Sequence, residues 1–226
     1  MSNEPVVTRY EFPSADIDSA LRRVAEAHGV QEVYWDIWGR EHRPDVEVQK
    51  AVLASVGVDA SSIASVDKSM LDWLARERLA LLPSCVVSST GEPWLPIAFP
   101  SGMAGIASLT VTLEKGGTLE AQSRLAELEI AEIVAVGDAE WSRARLPLPD
   151  GLPHGYHKAA LTATGVAVTC ELIHCPDRVF RPAAIAEDQR LAGIAISLYG
   201  LRSERNWGCG DFADLRQFSK LSLIHI

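Results

Sequence analysis

The sequence predicts an α+β chain made of a small N-terminal helical region, a beta-sandwich domain and a final strand, loop and helix. Before residue 82, apolar residues recur every three or four positions, which is the period of an amphipathic helix. From Pro83 the period changes to two, as is typical of strands. An unbroken apolar run from Leu191 to Leu198 then precedes a polar loop. These shifts divide the chain into residues 1–82, 83–180 and 181–226.

Three helices are predicted in the first region. The first follows Ser14 and Asp16 and ends at Gly29, a favourable C-terminal cap. The second ends at Gly57, and the third ends before Pro83. Their apolar stripes are, in chain order, Ile17, Leu21, Val24 and His28; Val48, Val52 and Val56; and Met70, Trp73, Leu74 and Leu81.

A short hairpin-like turn is predicted between the first two helices, where Tyr34, Trp35 and Trp38 surround Asp36 and precede Gly39. Large aromatic side chains are usually well buried. Core packing is therefore the expected environment of both tryptophans in this turn, and of Trp94 further along the chain.

Alternating strands predict the sandwich. One apolar face is followed by Gly116-Gly117, a tight-turn signal, and a second face lies near residue 170. Pro147, Pro149 and Pro153 suit a connection or a sheet edge rather than a central strand. The two apolar faces are Ala107, Leu109, Val111 and Leu113, and Val166, Val168, Cys170 and Leu172. Several strands broken by Gly and Pro over about ninety residues are typical of a small sandwich.

The last region is predicted to run from strand through loop to helix. The continuous apolar run is expected of a parallel strand that is covered on both faces. Asp211 is placed as the N-cap of the following helix and Asp214 as its first-turn acid. Gly208 and Gly210 lack the Gly-Lys-Ser/Thr of a phosphate loop, so a tight turn with a close backbone approach is the better interpretation.

The run from Leu198 to Leu215, LYGLRSERNWGCGDFADL, resembles the opening of the catalytic barrel in long-form bacterial 4-alpha-glucanotransferases (amylomaltases or disproportionating enzymes, glycoside hydrolase family 77). Cys209 departs from the Ile or Val that is usual there. The upstream segment YWDIWGREHRP, from Tyr34 to Pro44, is similar to the start of these enzymes. Weaker similarities near the end of their second domain are Leu146-Pro147, Gly155-Tyr156-His157 and Cys175-Pro176.

The resemblance implies that residues 181–226 begin a truncated (β/α)8 TIM barrel. It also implies transfer of α-1,4-glucan segments between maltooligosaccharides by a retaining double displacement, without a metal or organic cofactor. The family's catalytic Asp, Glu and second Asp lie on later barrel strands, so no catalytic residue is expected in this chain, and the 226-residue chain is expected to be inactive. The alternative is a non-catalytic glucan-binding or interaction module.

Candidate substrate-binding residues lie where the predicted strand ends, because barrel enzymes bind substrate at that side. Trp207 and Tyr199 offer flat rings for sugar stacking, with packing at the barrel mouth as the alternative. The alternative to glucan contact is a structural role, in which Arg202 pairs with a downstream carboxylate or Asp211 caps the helix. If Trp35, Trp38 and Trp94 were exposed, they would offer a further glucan-binding surface in the first two regions. The candidates are Tyr199, Arg202, Ser203, Asn206, Trp207 and Asp211.

The final residues, 221–226, place apolar side chains on nearly every side of a helix and depart from the family pattern. An artefact of sequence determination is the favoured explanation, and natural variation is the alternative. No basic segment followed by an apolar stretch opens the chain, which indicates a cytoplasmic protein.

Composition excludes more functions than it identifies. A formal net charge of -9 argues against a nucleic-acid partner, and no stretch has the length of a membrane span. The four cysteines form no CxxC pair, so free and largely buried thiols are expected. A metal site at Cys170, His174 and Cys175 is disfavoured because structural zinc needs four closely organised ligands.

Overall fold

The computed structural model describes residues 4–181 and 193–225, the last five of these as backbone only. It divides into two units, residues 1–178 and 179–226. The first contains helices, two larger β-sheets and a two-stranded sheet, which confirms the α+β class. None of the helices in the described ranges is long and apolar enough to cross a bilayer.

Three helices form in the first unit, α1 (Ile17–Ala27), α2 (Val46–Ser55) and α3 (Ile63–Glu77). The backbone N–H of Ser19 donates to the Asp16 carboxylate over 2.8 Å and so caps α1, and Gly29 beyond its end has a φ of +70°. These local signals explain why the predicted bounds of α1 are confirmed. The helices enclose a small apolar core that includes Leu21, Val24, Leu53, Met70 and Leu74.

The predicted apolar face of α2 was wrong. Val48, Val52 and Val56 are exposed, whereas Leu53 is completely buried. Periodicity identifies an apolar stripe on a helix, but it does not show that another element covers that stripe. In α2 only the side that carries Leu53 is buried, so the valines are left facing solvent.

The predicted turn is a hairpin of strands β2 (Tyr34–Trp35) and β3 (Glu41–His42). Core packing of its tryptophans was wrong, since Trp35 and Trp38 are both exposed. A two-residue strand pair has too little surface of its own to bury an indole. Trp94, in contrast, is half-buried, and the guanidinium of Arg145 lies over its ring, 5.0 Å from the centroid.

Two sheets face each other in the rest of the first unit. One has the order β1-β8-β9-β5 and the other β4-β11-β10-β6-β7. The strands are β1 (Val6–Tyr10), β4 (Cys85–Ser89), β5 (Trp94–Pro100), β6 (Ile106–Thr112), β7 (Thr118–Arg124), β8 (Glu129–Val136), β9 (Ala139–Pro147), β10 (Gly155–Ala163) and β11 (Val166–Cys175). Buried side chains from both sheets form one core, as expected of a beta sandwich.

The alternating patterns are largely confirmed. Ala107, Leu109 and Val111 of β6 are buried, and both glycines of the turn before β7 have positive φ. On the predicted apolar face of β11, Cys170 and Leu172 are buried, whereas Val166 at the start of the strand is exposed.

Strand β1 was not predicted. It pairs in parallel with β8, Val6 facing Glu132 and Tyr10 facing Val136. The N-terminal segment thus joins a sheet of the sandwich before the helices begin.

The second unit contains a 3-10 turn (Leu198–Gly200) and helix α4 (Phe212–His225). The predicted strand from Leu191 to Leu198 is not found, because residues 193–197 form no ladder and Leu198 enters the 3-10 turn. Positions 191 and 192 lie outside the described residues. A strand needs a neighbour to accept and donate its backbone hydrogen bonds, and this segment has none among the described residues. The predicted opening of a barrel is therefore not confirmed, and the described residues of this unit form a loop and a helix.

All four cysteines are free thiols, but the expectation that they are largely buried was wrong for Cys85 and Cys209, which are exposed. Cys170 is buried, and this burial raises the pKa of its thiol to about 11. Because the thiolate is the nucleophile, we expect brief iodoacetamide treatment near neutral pH to label Cys85 and Cys209 and to spare Cys170. Peptide mass mapping measures the sites. Denatured protein, in which every cysteine should react, is the control, and rapid labelling of Cys170 in the folded chain would contradict its burial.

Candidate functional site

The loop between the 3-10 turn and α4 folds back against its own beginning. Gly210 makes this possible, because a Cβ at that position would lie 2.2 Å from the carbonyl oxygen of Leu198. The Gly210 N–H donates to the Tyr199 carbonyl over 3.4 Å. The expected tight turn with a close backbone approach is confirmed here, and any side chain at position 210 would force the loop open.

Asp214 is the centre of the loop. Its carboxylate accepts hydrogen bonds from the Ser203 hydroxyl at 2.7 Å and from the Asn206 amide at 2.9 Å. The guanidinium of Arg205 donates to it over 2.9 Å, and the Asp211 N–H does so over the same distance. Asp214 is nevertheless almost completely buried. The bond from Asn206, followed by those from Asp211 and Ser203, holds the pKa of Asp214 far below its usual range.

Asp211 caps α4, as the sequence predicts. Its carboxylate accepts the backbone N–H of Ala213 at 2.8 Å and that of Asp214 at 3.0 Å. Since the Asp211 N–H donates to Asp214 in return, the two aspartates reproduce the reciprocal bonding of a capping box. The Arg205 side chain also pairs with Asp211 and is the main cause of the lowered pKa of that carboxyl group.

The six candidates fall into two groups. Ser203, Asn206 and Asp211 lie around Asp214. Each donates a hydrogen bond to its carboxylate, so their polar groups stabilise the loop. Arg202 pairs with no carboxylate in the described residues; its guanidinium donates to the carbonyls of Tyr199 and Leu201 over 3.0 and 3.2 Å. The downstream carboxylates pair instead with Arg205, which the sequence analysis did not single out.

The aromatic candidates remain on the outside. Tyr199 is 72% exposed, and Trp207 is fully exposed at 102%. A cleft of about 470 Å³ lies along the loop, lined by residues that include Arg202, Ser203 and Phe218. The arrangement presents flat rings on a braced loop, and hydrogen bonds hold the carboxyl groups of Asp211 and Asp214 ionised. Such a loop suits recognition of a ligand better than proton transfer to one.

Sequence reasoning placed Asp214 only as a first-turn acid. Its central role follows from side chains that lie eight to eleven positions earlier and are brought back by the turn at Gly210. A dense run of Ser, Arg and Asn before a helix-capping Asp was the only signal in the sequence.

A second polar cluster lies in the first unit beside a cleft of about 980 Å³, whose lining includes Arg78 and Arg143. Both guanidinium groups pair with the carboxylate of Glu132, Arg143 over 2.8 Å. The Thr8 hydroxyl donates to the same carboxylate over 2.8 Å. Glu132 thereby ties β1, the end of α3 and β9 together, which indicates a structural role.

Burial raises the pKa of Glu132, but hydrogen bonds from Thr8 and Arg143 and the charge of Arg78 outweigh it, so the pKa is lowered overall. A lowered pKa stabilises the fold above the pKa of the unfolded state, and that contribution is lost as the pH falls through the folded value. We expect Glu132→Gln to reduce the free energy of unfolding at pH 7 by about 1–3 kcal/mol. This difference should shrink on acidification.

Urea unfolding of both proteins between neutral and acidic pH measures this effect. Glu129→Gln is the matched control, because Glu129 forms a more exposed pair with Arg145 at 2.8 Å. A Glu132→Gln deficit that is constant with pH would contradict the assigned role of the charge.

No group of three or more metal-ligating side chains suited to an ion occurs in the described ranges. At the disfavoured site, His174 is buried and its Nδ1 shares a hydrogen bond of 2.9 Å with the Ser88 hydroxyl. Burial, followed by the nearby charges of His154 and His157, lowers the pKa of His174. This histidine is therefore part of the hydrogen-bonded sandwich interior.

Comparisons with known proteins agree with this architecture. Residues 81–176 match the family model of the MalQ N-terminal beta sandwich domain. The 4-alpha-glucanotransferase of Mycobacterium tuberculosis H37Rv is 27% identical over 210 residues, which cover 88% of this chain and 27% of the relative. The 4-alpha-glucanotransferase of Haemophilus influenzae is 39% identical over 70 residues, 31% of this chain and 10% of the relative.

Among solved structures, amylomaltase from Corynebacterium glutamicum superimposes with a TM-score of 0.61 and 24% sequence identity. The match covers 91% of this chain and 29% of that chain. It shows a shared fold. The chain spans 27% of the length of the mycobacterial relative that it matches.

Proposed function

We propose that the chain is part of a 4-alpha-glucanotransferase of the amylomaltase family, and that this protein moves α-1,4-glucan segments from a donor to an acceptor maltooligosaccharide. The observation that carries the proposal is similarity to a 4-alpha-glucanotransferase across 88% of the chain. The match covers only 27% of the relative's length, so we assign the chemistry to a longer protein that carries this chain.

The proposed reaction is a retaining double displacement. A carboxylate attacks the donor sugar and forms a covalent glycosyl-enzyme while the leaving glucan takes a proton from a carboxylic acid. The 4-hydroxyl of the acceptor then displaces the enzyme carboxylate from the sugar and gives its proton to the carboxylate that protonated the leaving glucan. No metal or organic cofactor takes part in this scheme. We also propose that the protein acts in the cytoplasm, on maltooligosaccharides.

Within that reaction, the loop from residue 199 to residue 211 is proposed to border the glucan. Tyr199 and Trp207 would offer ring faces to sugar residues, since an aromatic ring combines a flat apolar surface with a polar edge. Arg202 would donate to hydroxyl groups at the rim. Ser203, Asn206 and Asp211 would act indirectly, because their bonds to Asp214 support the loop.

The division into residues 1–82, 83–180 and 181–226 remains a prediction.

Trp207→Ala in the longer protein tests the contact. Because a ring interaction of this kind is worth about 0.5–1.5 kcal/mol, we expect transfer from maltotriose to fall about threefold to tenfold. Trp207 is wholly exposed, so the unfolding temperature should not change. Glucose and longer maltooligosaccharides are the measured products.

Tyr156→Ala, which removes another exposed aromatic ring from β10, is the matched control and should transfer normally. Unchanged kinetics in Trp207→Ala would remove this indole from the glucan site. The absence of any transfer by the unmodified longer protein would contradict the proposed function itself.

A further inference from the structure

The β2–β3 hairpin displays aromatic rings on the surface of the first unit. Trp38 is 75% exposed and Trp35 is 63% exposed, and Tyr34 is also accessible. Neither indole serves the helical core, which is built from other side chains. A tyrosine and two indoles that are all exposed within five residues form a surface of the kind that marks interaction sites.

The hairpin holds these rings on a braced backbone. The Asp36 carboxylate accepts the N–H of Trp38 and that of Arg40, each at 2.9 Å, and shares a bond of 3.1 Å with His42. The Tyr34 ring stacks on the His42 ring with centroids 5.0 Å apart and planes 13° from parallel. The loop between the strands is therefore ordered before any ligand arrives, which reduces the entropy lost on binding.

We propose that this hairpin is a binding surface for α-1,4-glucan chains, with Trp35 and Trp38 stacking on sugar rings. The inference rests on the proposed function, which makes such glucans the protein's substrates. It adds a second glucan contact in a part of the chain to which that function assigns no role.

Charge and composition favour a neutral glucan over a protein partner. Arg40, Glu41, His42 and Arg43 follow the indoles directly, so groups that can donate to or accept from hydroxyls lie next to the rings in sequence. A sugar ring has apolar C–H faces and hydroxyl edges, and so it needs rings and polar groups side by side. A second copy would also bring together two chains that each carry a net charge of -9, while a glucan carries none.

A protein partner is expected to use exposed apolar residues besides the indoles. Val48 and Val52 of α2 are exposed and begin six residues after the hairpin. This stripe is a second exposed apolar surface that a partner protein or second copy could bury, whereas a glucan stacked on the hairpin would not need it. Variants in the valines therefore separate the two kinds of occupant.

Calorimetric titration of the 226-residue chain with maltoheptaose tests the inference. We expect saturable binding that weakens about threefold to tenfold in Trp38→Ala and is lost in the Trp35→Ala, Trp38→Ala double variant. The unfolding temperatures should match the wild type because both rings are exposed. Val48→Thr with Val52→Thr should bind as the wild type does, and sedimentation should show no self-association that depends on the indoles.

The inference is overturned if maltoheptaose does not bind, if the double variant binds normally, or if only Trp207→Ala abolishes binding. Loss of self-association in the indole or valine variants would overturn it in favour of a second copy. Maltotriose transfer by the longer wild-type protein is measured separately. Transfer without hairpin-dependent binding rejects this inference alone, whereas hairpin-dependent binding without transfer rejects the proposed function and leaves a glucan-binding module.

Discussion

Replacing Asp214 by Ala should release the loop before α4 and lower glucan transfer by about tenfold to a hundredfold in the longer protein. The buried carboxylate is the shared acceptor for Ser203, Arg205, Asn206 and the Asp211 N–H. Without it, these donors lose a common partner and the loop no longer holds one conformation. Displacement of binding groups by about 1 Å commonly produces losses of this size.

Two measurements separate this effect from general unfolding. Maltotriose transfer reports on the site, and limited proteolysis between residues 203 and 211 reports on the loop. Asp214→Asn should be intermediate, because the amide keeps one acceptor oxygen but loses the charge. Glu204→Ala, which removes an exposed acid from the same loop, should behave as the wild type. Normal transfer and normal resistance to protease in Asp214→Ala would show that the network does not support the loop.

Replacing Leu161 by Ala should destabilise the sandwich by about 2–5 kcal/mol. Leu161 lies on β10 with no exposed surface, in the core that both sheets share. Truncation removes apolar contacts and leaves a cavity, which a close-packed interior fills only in part. A loss of this size is a large share of the stability of an ordinary domain.

Guanidinium unfolding followed by circular dichroism measures the change. Val87→Ala is the matched control, because Val87 lies in a strand of the same sheet but faces solvent. Its effect should stay within about 0.5 kcal/mol. Equal stability losses in the two variants would contradict the assignment of Leu161 to the core.

Several elements were predictable because their causes lie within a few residues. Helix α1 is bounded by Asp16 and Gly29, and the turn before β7 is set by Gly116-Gly117, all of them local signals. The start of α4 likewise follows from Asp211, whose carboxylate reaches backbone groups only two and three positions away. The family resemblance around Leu198 to Leu215 also needed only the order of residues.

Other features depended on residues far apart in the chain. The pairing of β1 with β8 joins Val6 to Glu132, and no local pattern announces it. Trp35, Trp38 and Val52 are exposed because no other element in the described part of the chain covers them. An apolar sequence pattern does not show whether such a covering element exists, so their predicted burial was wrong.

The sequence by itself therefore determined the helices, most of the alternating strands and the turns, because backbone preferences and capping bonds act over short distances. Only the tertiary structure decided burial and side-chain partners, since these depend on groups that folding brings together. Asp214 shows the difference: its place in the first turn of a helix was readable, but its bonds to Ser203 and Asn206 were not. The absence of a strand at residues 193–197 has the same cause, because a strand exists only where a neighbour completes its hydrogen bonds.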